Sequence, residues 1–332
     1  MHPRLKIVTH PTPLYRLNTL SDQLGISLYI KRDDLAGPTF GGNKARQLEY
    51  YFGAAQASGA DTVLITGAVQ SNFTRLTAAV ARANGMHPIV QLEERVKGKG
   101  GLYQRGGNVL LSRILGAEIL SFPEGEDEAA ADAALHKKAE DVAAEGRVPY
   151  IIHLSEGHPP LGALGYVDAA QEILSQEDDF DVYVVASGSG STHAGLLAGL
   201  RGHGSEATVI GGCVRRPAQE QAARITRVLG RLGELYSDAA AVREKDVLTD
   251  DNAFAPGYGK VGPVAAEAIR MIARNEGLVL DPVYTAKSFG TLLSSIESGA
   301  IPQGSKVCFV HTGGLAAVFG YGEEIWSRVD PS

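Results

Sequence analysis

The chain has 332 residues, 44% apolar and 21% charged, so it can bury a sizeable core and is neither a small stapled scaffold nor a disordered tail. Its 31 basic residues against 38 acidic ones leave a net charge of -7, which argues against a nucleic-acid partner. No apolar run approaches the length of a membrane span, so no membrane partner is expected either. Cys213 and Cys308 lie in apolar runs where reduced, buried thiols are expected. The start MHPRLKIVTHPTP has neither the apolar region nor the cleavage signal of a secretory peptide, and a cytoplasmic location is expected.

In chain order, an amphipathic segment covers 45–57, a strand 62–66, an Ala-rich helix 72–84 closed by Gly85, and a strand 88–92. A strand over 117–121, a helix over 126–145 ended by Gly146 and a strand over 148–153 follow. The buried-looking run 181–186 meets a Gly/Ser loop, a helix runs through Leu200, and strands cover 208–214 and 306–311. Such alternation requires crossover helices between parallel strands, hence an α/β protein with open, mainly parallel twisted sheets flanked by helices, in one large or two intimately joined domains.

Five segments carry candidate chemistry. Ser187-Gly188-Ser189-Gly190-Ser191-Thr192 joins a strand to a helix, where backbone N–H groups and the helix dipole favour an anion such as phosphate. The same residues would also make a bare tight turn. The loop has neither the Gly-Lys-Ser/Thr ending of a nucleotide P-loop nor the third glycine of a dinucleotide fingerprint, because His193 stands there. Lys44 follows Gly41-Gly42-Asn43 and opens a helix, where the dipole and desolvation would lower its pKa and suit a nucleophilic amine; an exposed surface lysine is the other reading. Gln70-Ser71-Asn72 sits at the C-terminal end of a strand, where open α/β sheets gather ligands, although Ser71 or Asn72 also reads as a helix N-cap. Tyr258 and Tyr284 lie in turn contexts and serve either packing or catalysis. The nine histidines show no His-x-His or His-Glu-x-x-His spacing, so no metal is expected, and Asp33 with Asp34 reads as a structural turn.

Taken together, Ile30-Lys-Arg-Asp-Asp34, Gly41-Gly-Asn-Lys44, Gln70-Ser-Asn72, the loop 187–192, Pro256-Gly-Tyr-Gly259, Asp281-Pro-Val-Tyr284 and His311-Thr-Gly-Gly314 resemble the D-cysteine desulfhydrase and 1-aminocyclopropane-1-carboxylate deaminase family, in the family's order from about Pro11 to Tyr321. The resemblance implies the tryptophan-synthase-β-like fold (fold type II) of pyridoxal-phosphate enzymes, with a larger domain of 1–46 and 158–332, a smaller inserted one of 47–157, and a homodimer. It implies that Lys44 forms the Schiff base with pyridoxal 5'-phosphate, and that Gly188, Ser189, Gly190, Ser191 and Thr192 bind the phosphate. Asn72 would bond the ring hydroxyl, and Gln70, Ser71 and Asn72 would receive the carboxylate of a small amino-acid substrate.

Family deaminases carry a glutamate after the tyrosine of Asp-Pro-Val-Tyr, facing the ring nitrogen; here that residue is Thr285, and in the desulfhydrase branch Thr312 takes over. A hydroxyl supports a protonated ring nitrogen less than a carboxylate does, which β-elimination tolerates because the leaving group departs with the electron pair. The implied reaction is β-elimination of a β-substituted alanine, Lys44 taking the Cα proton and Tyr258 or Tyr284 acting as acid. D-cysteine leads as substrate, ahead of L-cysteate, then ring opening of 1-aminocyclopropane-1-carboxylate, then a protein that binds the cofactor without turnover. Phe73 and the segment 155–160 depart from the desulfhydrase pattern, and Arg75 and His158 are candidates to meet an anionic leaving group or to lie on the surface.

Overall fold

The computed structural model describes residues 2–154 and 157–329. Its strands are β1 (Leu14–Arg16), β2 (Ser27–Lys31), β3 (Thr62–Ala68), β4 (His87–Glu93), β5 (Glu118–Phe122), β6 (Pro149–Ile152), β7 (Val182–Ser187), β8 (Thr208–Cys213), β9 (Leu248–Asp250) and β10 (Lys306–Val310). They form a six-stranded sheet in the order β1-β2-β10-β7-β8-β9 and a four-stranded sheet in the order β5-β4-β3-β6. Every pairing is parallel except that of β1 with β2. Both sheets need helices on their faces, and β3 and β7 accordingly read as unbroken buried runs.

The expected strands and helices lie within one or two residues of those observed, whereas β1, β2 and β9 carried too short a pattern to read. The helices Leu164–Gln176 and Ser191–Gly202 approach closely because Gly195 and Gly199 face Ala163 and Val167; a Cβ on either would fall within 2.8 Å of a backbone carbonyl oxygen. That contact fixes the helix which follows the Gly/Ser loop.

The helix Lys44–Ala57 is anchored by a buried ion network. Arg46 pairs with Asp33 and with Glu172, each at 2.8 Å, Lys31 reaches Glu172 at 2.5 Å, and His10 Nδ1 lies 2.6 Å from Glu172. Asp33 also accepts from Tyr166 at 2.6 Å, while Asp34 pairs with Arg32 at 2.7 Å. The adjacent aspartates therefore hold structure, as their opposed directions predict. Cys213 and Cys308 are buried free thiols. Among the described residues no helix is long and apolar enough to cross a membrane.

Candidate active site

The C-terminal ends of β3 and β7 and the residue pair Thr312-Gly313 after β10 open on one cavity. Lys44, Ser71, Asn72, Gly188, Ser189, Gly190, Thr192, Tyr258, Tyr284 and Thr312 all line it. Two expected residues do not. Gln70 spends its amide on Tyr103 O at 2.5 Å, Gly106 O at 3.0 Å and the N–H of Asn108 at 2.9 Å, so its side chain is committed away from the cavity. Ser191 lies behind the loop, in a smaller recess beside Pro159 and Pro160.

Lys44 is the first residue of its helix. Its Nζ donates to Gln47 at 3.3 Å and stands 4.9 Å above the Phe73 ring, with no carboxylate in ion-pair range among the described residues. Burial without a counter-charge lowers its pKa to about 8. Ahead of it, Thr39 and Phe40 take left-handed backbone conformations, with φ 48° and 64°. Arg75 holds that loop: it is fully buried and donates to the carbonyl oxygens of Thr39 and Gly41 and to Asn108. Arg75 is thus neither a surface residue nor a leaving-group contact.

The loop after β7 presents donors. No acceptor among the described residues takes the N–H of Gly188, Ser189 or Gly190, and Ser191 and Thr192 begin a helix, where N–H groups have no carbonyl behind them. The carbonyls on the other side are occupied, Gly188 O by Gln221 at 3.1 Å and Ser189 O by Arg224 at 2.8 Å. Gly190 has φ 106°, and a Cβ there would lie 3.2 Å from Val228. The Thr192 hydroxyl accepts from Asn43 and from Gln47, both at 2.8 Å, so its own proton is available to an anion.

Across the cavity, Ser71 caps the helix Asn72–Ala83, accepting from the N–H groups of Phe73 and Thr74, and likewise keeps its proton to donate. Asn72 Oδ1 accepts from Asn108 at 2.9 Å. The two tyrosines meet, Oη to Oη at 2.8 Å. Asp281 builds the turn that delivers Tyr284 by accepting from the N–H groups of Val283, Tyr284 and Thr285 at 2.8–3.0 Å. Lys287 delivers Tyr258 by donating to Phe254 O at 2.8 Å and Gly257 O at 2.6 Å. Burial, then the neighbouring Tyr258, push the Tyr284 phenol well above its ordinary pKa.

The two threonines differ. Thr285 is fully buried and gives its hydroxyl to Asp281 at 2.8 Å, whereas Thr312 lines the cavity and its hydroxyl has no partner among the described residues.

Sequence reasoning missed a charged wall. Glu93, at the end of β4, pairs with Arg95 at 2.7 Å and accepts from Thr66 at 2.8 Å; both charged residues line the cavity. Burial alone would lower the Arg95 pKa, but Tyr258 and Glu93 outweigh it and hold the guanidinium above its ordinary value. Glu128 gathers Arg215 at 2.6 Å and Arg216 at 2.8 Å. Charges just past a buried strand were the available signal for Glu93 and Arg95. A further cluster, Asp132 with His136, His153 and His158, lies beside this wall and has no linear motif. Of the divergent segment 155–160, Ser155 and Glu156 lie outside the described residues.

An amine of lowered pKa, an anion cradle shaped around a glycine and an unpartnered hydroxyl in one cavity define a site for an aldehyde-bearing phosphate cofactor, and the chain belongs to the family described as pyridoxal-phosphate dependent enzymes, which it matches over residues 6–313. Within that class it falls among the 1-aminocyclopropane-1-carboxylate deaminases and D-cysteine desulfhydrases. It is 40% identical over 327 residues to the 1-aminocyclopropane-1-carboxylate deaminase of Methylobacterium nodulans, and 39% identical over 323 residues to the D-cysteine desulfhydrase of Salmonella typhi, with 96% of each chain covered in both cases. A solved homologue of 1-aminocyclopropane-1-carboxylate deaminase superposes with a TM-score of 0.87 at 35% identity, covering 98% of this chain and 96% of that one. An O-ureido-L-serine synthase, at 18% identity and a TM-score of 0.67, shares the fold. The chain is thus a pyridoxal-phosphate-dependent lyase of α/β fold type II.

Proposed function

We propose that the chain catalyses β-elimination from a β-substituted alanine, with D-cysteine as the leading substrate, releasing pyruvate, ammonia and sulfide. The single observation that supports it is the threonine pair: the position where family deaminases carry glutamate is Thr285, closed onto Asp281, and the hydroxyl offered to the cavity is that of Thr312. Pyridoxal phosphate, when bound, supplies an aldehyde that engages amines and a conjugated ring that accepts the electron pair released at Cα.

The residues divide the remaining work. Lys44 is the amine that would hold the cofactor's aldehyde, and its Nζ, with a pKa of about 8, is the base that would take the Cα proton. Gly188 to Thr192 would hold the phosphate through N–H groups and the Thr192 hydroxyl. Ser71 and the start of the helix Asn72–Ala83 would receive the substrate carboxylate, and Asn72 would meet the ring hydroxyl; the Gln70 side chain positions the segment 103–108 instead. Tyr258 and Tyr284 form one proton-donating unit that protonates the departing sulfur as the Cβ–S bond breaks with its electron pair. Water then completes the conversion to pyruvate and ammonia.

A second reading, elimination of sulfite from L-cysteate, is favoured by Arg95, a cation beside both tyrosines. We assign 1–46 and 158–332 to a cofactor lobe and 47–157 to an inserted lobe, because β3 to β6 fall within the latter. A homodimer fits the exposed Leu102, Leu110, Ile114 and Phe319 on helices that pack together, and the reduced cysteines fit the cytoplasm.

The test supplies purified holoenzyme with D-cysteine, L-cysteate, β-chloroalanine and 1-aminocyclopropane-1-carboxylate. Pyruvate from at least one β-substituted alanine, with negligible 2-oxobutyrate from the cyclopropane, is expected. Comparable or faster 2-oxobutyrate formation would overturn the elimination reading; sulfite from L-cysteate faster than sulfide from D-cysteine would establish the second.

A further inference from the structure

Asp132 and His136 stand one turn apart on the helix Glu128–Ala144, while His153 and His158 follow β6. One ligating atom from each of the four lies within 4.8 Å of those of the other three. The Asp132 carboxylate oxygens are 3.1 Å from His153 Nδ1, 3.3 Å from His158 Nε2 and 3.9 Å from His136 Nε2. The His153 and His158 rings stack with centroids 3.5 Å apart and planes 7° from parallel, so one of them must turn out of the stack to bring both in-plane lone pairs onto one ion, and His136 lies 5.0 Å from His153. Bonds of about 2.0–2.2 Å to a tetrahedral ion would place donor atoms about 3.4 Å apart, which the two shortest contacts already approach.

We propose that Asp132, His136, His153 and His158 bind a divalent transition cation of the zinc class. Three imidazoles and one carboxylate suit such an ion, whereas magnesium and calcium take oxygen ligands. The His136 side chain is 49% exposed and gives the ion a way in, while Asp132 is 18% exposed and lines the cofactor cavity. Occupancy would clamp the helix to His153 and His158 and turn this part of the cavity wall from net negative to net positive, because a dication meets a single carboxylate. The ligands come in two pairs, one on the helix and one after β6, so no single linear motif announces the site.

The test titrates cofactor-loaded enzyme with Zn2+ by calorimetry and with Co2+ by visible absorbance. Saturation at one ion per chain is expected, with Mg2+ and Ca2+ failing to compete and Co2+ giving the intense bands of tetrahedral nitrogen and oxygen ligation. His136→Ala and His153→Ala should each weaken Zn2+ binding at least ~10-fold, in line with the loss expected when a metal site is disturbed. His136→Ala is the decisive variant if His153→Ala does not fold, since its half-exposed side chain does not line the cavity and the cofactor absorbance should be retained. Zn2+ affinity unchanged by His136→Ala, or weak octahedral Co2+ bands in the wild type, would overturn the proposal.

Discussion

Asn43 donates its side-chain amide to the hydroxyl of Thr192 at 2.8 Å, tying the residue before the candidate Schiff-base lysine to the end of the candidate phosphate loop. Gln47, one turn further on, donates to the same oxygen. The position of the amine and that of the anion cradle are thereby set by one hydroxyl.

Replacing Thr192 by valine removes both amide contacts and the free proton. Thr192→Val should lose cofactor on dialysis, followed by cofactor absorbance, with affinity down roughly tenfold or more for the one lost hydrogen bond to a charged group. Thr192→Ser should retain it, and equal retention by Val and Ser would remove the hydroxyl from the phosphate site.

Lys44→Ala should abolish covalent attachment, and borohydride reduction of the wild type followed by peptide mapping should place the label on Lys44. Loss of the base should lower turnover by roughly 10²–10⁴-fold. Because burial brings the Lys44 pKa to about 8, capture of added cofactor by stripped enzyme should accelerate as pH rises through about 8 and then level off. A label on another lysine would reject the assignment.

The Tyr258 and Tyr284 hydroxyls share one hydrogen bond, so their effects should not add. Tyr258→Phe and Tyr284→Phe should each slow D-cysteine elimination by about 10²-fold or more, with the double variant little worse than the slower single one. A substrate with a better leaving group, such as β-chloroalanine, should be less affected. Additive losses would mean that the two phenols act independently.

His10 connects pH to stability. Hydrogen bonds to Glu172 and Glu49 raise its pKa from 6.5 to about 9 in the folded chain. Its contribution is therefore complete below about pH 6.5 and is lost as pH rises through 9. Melting temperature should fall between pH 7 and 9.5, and His10→Gln should flatten that slope; identical slopes would show that the charge of His10 does not matter.

Much of this was legible in the sequence because parallel strands are buried runs and because Gly, Ser and Asn mark the turns at their ends. Lys44, Ser71, Gly188, Ser189, Gly190, Thr192 and both tyrosines come from such turns and converge on one cavity. Gln70 is a substrate ligand only by the family resemblance, and its amide finds three backbone partners that lie more than thirty residues away in sequence. Arg75 and Lys287 were equally hidden: each is a buried cation whose partners are carbonyls of a remote loop, a relation that periodicity cannot encode. The three histidines around Asp132 meet only once β6 is laid beside its helix.

The larger sheet has β10 between β2 and β7. During synthesis the four strands β3 to β6 emerge consecutively and can close their own sheet early, whereas β2 and β7 must wait with an open lane between them until residues 306–310 arrive. Thr312 follows two residues later. A ribosome-bound chain thus has Lys44 and residues 188–192 before the strand that sits between β2 and β7.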